Sequence, residues 1–135
     1  MKESVMLTIT SLLLLLFLTF HLTGDIVYGW EPGGLTNLVV LVIVSVIWLY
    51  GTLLLAERRT GYIITLLLSL FSLVVPYIHM KGSKGVGVTS RLGGTSGHFF
   101  FVWTLFAIGV LGLFSAILAV RGLWRLPWRR ARTQN

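Results

Sequence analysis

Cut at its charged residues, the chain falls into four apolar stretches at about residues 5–23, 35–56, 62–79 and 99–120, none of which contains a Lys, Arg, Asp or Glu. A helix rises about 1.5 Å per residue, so about 20 residues cross a hydrocarbon core of roughly 30 Å. The runs are continuous rather than alternating, and only a helix satisfies its own backbone hydrogen bonds along such a run in lipid. The pattern predicts an all-α membrane protein: one four-transmembrane-helix bundle over residues 1–135, up-down-up-down, with a basic Trp/Arg tail at 121–135. Polar residues just ahead of the runs supply helix starts: Thr36 or Asn37 for the second, Thr60 for the third, Ser96 for the fourth. The first run, with Lys2 before Leu12–Leu16, also resembles a signal peptide. It lacks a small-x-small cleavage site before Asp25, and Glu3 weakens its basic start, so an uncleaved span is expected.

The basic residues set the expected direction. With the N terminus inside, Lys2, Arg58, Arg59, Arg121, Arg125, Arg129, Arg130 and Arg132 fall on the cytoplasmic side, and Lys81, Lys84 and Arg91 on the other. That distribution favours an inner or plasma membrane protein with both termini in the cytoplasm. Tail residues Arg121, Trp124, Arg125, Trp128, Arg129, Arg130 and Arg132 interleave rings that favour the headgroup level with charges that attract anionic lipid headgroups.

The polar residues inside the runs are small. Gly109, Gly112 and Ala116 give the fourth helix a stripe against which another backbone can pack, and Ser69, Ser72 and Pro76 share one face of the third. The same stripes would serve a homo-oligomer or another membrane protein partner. Pro76 frees the carbonyl of Ser72 and predicts a kink. The short connection Glu57–Thr60 makes helices two and three antiparallel neighbours.

Composition narrows the chemistry. Of 135 residues 56% are hydrophobic and 11% charged, and there is no cysteine, which excludes disulfides, thiolate metal sites and iron–sulfur clusters. The net charge of +7 lies between spans and in the tail rather than along a soluble face, so no nucleic-acid partner is expected. The four acids, Glu3, Asp25, Glu31 and Glu57, all fall at span ends or in loops, which argues against ion-coupled transport. The glycine-rich stretch 81–97 matches neither phosphate-binding fingerprint and is a linker by composition.

Histidine remains. His21 ends the first span, His79 the third, and His98 begins the fourth, so the topology brings all three to one face of the membrane. Asp25 shares a helical face with His21 if that helix continues through Thr23 and Gly24. His21, Asp25, His79 and His98 are thus candidate metal ligands, of types suited to zinc, copper or iron, with Glu31 near their entry. Two of the histidines could alternatively hold a haem whose propionates meet Lys81, Lys84 or Arg91. Interfacial histidines with no shared site are the plain alternative. Two functional readings follow. With no catalytic motif and little extramembrane surface, the first is a non-enzymatic accessory or scaffold subunit of a membrane complex. The second is a metal- or haem-binding protein working through the histidine cluster.

Overall fold

The computed structural model describes residues 2–29, 34–81 and 96–126; of residues 80, 81 and 96–98 it describes the backbone alone. Four helices account for nearly all of them: α1 (Glu3–Tyr28), α2 (Gly34–Leu49, prolonged by a π-helical turn over Tyr50–Leu54), α3 (Arg59–Lys81) and α4 (Ser96–Arg125). Among the described residues there is no strand. All four helices are long and apolar enough to cross a membrane, the shortest such stretches having 21 residues, about 30 Å. The described residues are thus all-helical, with the four candidate spans of an integral membrane protein.

α1, α3 and α4 overrun their apolar stretches at both ends, whereas α2 with its π-helical turn ends at Leu54, within its own. α1 begins at Glu3 and ends at Tyr28, where Gly29 takes the left-handed conformation (φ 63°) and donates its N–H to the carbonyls of Asp25 and Ile26. α4 extends to Arg125. The overrun has a physical cause, because the charges beyond the apolar runs find partners on the bundle. Glu3 accepts from Arg121 Nε at 3.0 Å and from Arg125, and Ser4 donates to Glu57 at 2.8 Å. Arg59 donates to the carbonyl of Leu126 at 2.9 Å. α2 starts ahead of Thr36 and Asn37, and α3 one residue ahead of Thr60, so these residues lie inside their helices rather than capping them.

α1, α3 and α4 form the packed body. As contacts step forward along α1 they step backward along α4: Glu3 meets Arg121, Leu7 packs with Leu118 and Ala119, Leu14 and Leu15 with Ile108, and His21 reaches Thr104. α3 follows the same rule, with Tyr62 at Gly122, Ser72 at Gly112 and Pro76 at Gly109. At Gly112 there is no room for a side chain, since an added Cβ would strike Ser72 Oγ and lie 3.3 Å from Leu73 Cδ2. α2 stands at the side of this body, and its buried anchor is Trp48, packed on Leu14, Leu15 and Ile108. The threonine hydroxyls of α1 are absorbed locally: Thr8, Thr10, Thr19 and Thr23 each donate to the carbonyl four residues back, which lets them lie in an apolar medium.

Candidate functional site

Where the end of α1, the end of α3 and the start of α4 meet, polar groups are buried rather than displayed. α1 continues unbroken through Thr23 and Gly24, so His21 and Asp25 stand one turn apart on the same face. Both are buried, His21 at 4% and Asp25 at 2% exposure. Asp25 is therefore not a loop residue at a span end, as the position of the charges along the chain implied. It is an inward-facing carboxylate within α1.

His79, on the last turns of α3, completes the group. Its Nε2 lies 3.7 Å from Asp25 Oδ2, and His21 Nε2 lies 3.6 Å from the same oxygen. The two imidazoles meet edge to face with centroids 4.9 Å apart, and Phe101 lies against both, 4.7 Å from His21 and 5.8 Å from His79. One ligating atom from each of His21, Asp25 and His79 lies within 4.8 Å of the other two.

The remaining ring nitrogens fix what the Nε2 atoms are. Thr104 donates its hydroxyl proton to the carbonyl of Phe101 at 2.9 Å, so its oxygen accepts from His21 Nδ1–H at 3.1 Å. His79 Nδ1 lies 2.8 Å from the carbonyl of Val75, which accepts only, so that nitrogen too carries a proton. In the neutral form of each ring Nε2 then carries the lone pair, and both Nε2 atoms turn toward one carboxylate oxygen. Their separations from it exceed hydrogen-bond length. These two separations lie a few tenths of an ångström beyond the spacing of about 3.3 Å expected between two ligands each 2.0–2.1 Å from one tetrahedral ion, and the three ligating atoms together spread over up to 4.8 Å, so the side chains would draw in around an ion. His21 Nε2 and Asp25 Oδ1 are buried with no hydrogen-bond partner. With both rings neutral these electron-rich atoms repel one another, and a cation or a proton between them removes the repulsion.

A ring N–H held by a carbonyl or hydroxyl while the other nitrogen faces a shared point is the arrangement that orients metal-ligating histidines. It suits a single small ion. The imidazoles of His21 and His79 are in edge contact and approach the same oxygen, which leaves no slot between these two for a macrocycle; a haem pair that includes His98 lies outside the described residues.

Of the sequence-predicted ligands the structure brings together His21, Asp25 and His79. The backbone of His98 lies in the first turn of α4, and its side chain is outside the described residues, as is Glu31. The packing residues fall at the α3–α4 contact, with Gly109 facing Pro76 and Gly112 facing Ser72, while Ala116 and Ser69 are buried. In the tail Arg121 and Arg125 pair with Glu3 and Trp124 is 82% exposed. Trp128, Arg129, Arg130 and Arg132 lie outside the described residues. Thr104 and Asn37 were not singled out from sequence as site residues. Thr104 orients His21, and Asn37 lines a cleft beside the cluster. Comparison with protein-family models, characterised proteins and solved structures finds no match.

Proposed function

We propose that this chain is a membrane-embedded binding protein for a divalent transition metal, with His21 Nε2, His79 Nε2 and Asp25 as ligands and an open coordination position. The observation that carries the reading is the placement of both Nδ1 atoms against oxygens, those of Thr104 and of the Val75 carbonyl, which turns both Nε2 atoms toward one carboxylate. Two imidazoles and a carboxylate with a vacant position is a zinc donor set, and it also serves Fe²⁺. Zn²⁺ fits best, being indifferent to the directions that the helices impose. Haem between His21 and His79 is the poorer fit for the geometric reason given above. The accessory-subunit reading rests on missing motifs, whereas the cluster gives the chain a chemistry of its own.

Elemental analysis of protein purified without added chelator tests the reading. One zinc or iron per chain is expected, with stoichiometric metal lost in His79→Ala and Asp25→Asn variants that still elute as folded protein. Metal-free protein that also fails to take up Zn²⁺ or Co²⁺ on addition overturns it.

We further place both termini in the cytoplasm, on the excess of basic residues there, and assign the tail Arg121–Arg132 to anionic headgroups. This sets the metal cluster near the opposite face of the membrane.

A further inference from the structure

The His21–Asp25–His79 cluster opens onto an apolar cleft. It forms the polar end of this cleft of about 190 Å³ between α1, α2 and α3, many times the space that one water needs. The walls are Leu18 and Leu22 of α1, Val40 and Val44 of α2, and Phe71 and Val75 of α3. Apart from His21, Asp25 and His79, the polar lining residue is Asn37, one turn before Val40 on α2. Val40 and Phe71 are about half exposed and so stand at the lip, on surfaces that face lipid in a bilayer. The cleft exists because α2 stands off the α1–α3–α4 body, held mainly through Trp48 lower down.

These features constrain what can occupy it. Beyond the cluster itself, a second hydrated ion would have to shed its water against aliphatic walls that offer nothing in return. A hydrocarbon chain enters from lipid without that cost. At the polar end, a divalent ion on two neutral imidazoles and one carboxylate keeps a net charge of +1 and one open position. That charge is complementary to a monoanionic oxygen ligand. Resting on the metal reading, we propose that the cleft binds a single-chain carboxylate amphiphile, its head on the open metal position and its chain along Val40, Val44 and Phe71. The site would then recognise a fatty-acid-like molecule drawn from the plane of the membrane.

The test uses the full chain in maltoside micelles, loaded with Co²⁺, whose visible bands respond to a new oxygen ligand. Decanoate and acetate are titrated in parallel. Decanoate is expected to shift the bands at a concentration at least tenfold below acetate. Val44→Trp, which fills the cleft, should keep the cobalt bands and lose that preference while leaving partition of decanoate into the micelle unchanged. Val40→Trp at the lip gives a second filling variant should Val44→Trp not fold. Equal responses to decanoate and acetate, or an unchanged preference in a folded filling variant, overturn this inference and leave the metal reading standing. A wild-type chain that takes up no Co²⁺ overturns both.

Discussion

Replacing Thr104 by valine changes one atom group at the His21–Asp25–His79 cluster without touching a proposed ligand. Thr104 is fully buried, so an isosteric methyl in place of its hydroxyl opens no cavity. What disappears is the acceptor for His21 Nδ1–H and, with it, the constraint that keeps the proton on that nitrogen. His21 is then left with a buried unsatisfied N–H or with the other tautomer, whose Nε2 proton points into the metal position. Loss of such an orienting partner costs about 10- to 100-fold in metal affinity, about 1.4 to 2.7 kcal/mol. The assay is competition for Zn²⁺ against a chromogenic chelator, read beside thermal unfolding of the metal-free protein. Thr104→Val should bind 10 to 100 times more weakly and unfold within about 1 kcal/mol of wild type, and Thr104→Ser should bind normally, since it keeps the hydroxyl. Wild-type affinity in a folded Thr104→Val variant would refute the tautomer argument and remove the main support for His21 as a ligand.

Two further predictions concern the body of the bundle. Gly112→Ala drives a methyl onto Ser72 Oγ, which is held by its hydrogen bond to the Ser69 carbonyl at 2.7 Å, and should destabilise the protein by about 1–3 kcal/mol. Gly109→Ala meets only Pro76 Cγ at 3.7 Å and should be neutral or gain up to about 1 kcal/mol from helix propensity; equal melting shifts for the two alanines would discredit the α3–α4 packing. Glu3→Gln removes the pairs with Arg121 and Arg125, both of them largely exposed, so the loss should stay below about 1 kcal/mol and should shrink as salt is raised. A loss above 2 kcal/mol, insensitive to salt, would contradict that account.

The spans were legible in the sequence because lipid leaves a continuous apolar run no alternative to a helix. Their ends were not, since they depend on pairings between distant residues: α1 can start at Glu3 because Arg121 and Arg125 stand beside it on α4. His21 and Asp25 were legible as an i, i+4 pair, and His79 through span order alone. Thr104 was not. A threonine inside an apolar helix usually bonds back to its own turn, as Thr8, Thr10, Thr19 and Thr23 do. Nothing in the chain distinguishes the one that also accepts from a neighbouring helix. The cleft was equally invisible, because it arises from how far α2 stands from α1 and α3 rather than from any residue within it.

The clasp between Glu3, at the first residue of α1, and Arg121 and Arg125, near the end of α4, also bears on biosynthesis. Glu3 is synthesised before any of α2 or α3 exists, and its partners follow more than a hundred residues later. Thr104, which orients His21, also arrives with the last helix. Until α4 is inserted, α1 carries a carboxylate at one end and an unsupported imidazole pocket at the other. A nascent chain arrested before α4 should therefore hold metal poorly and depend on the insertion machinery to keep its first helix in place.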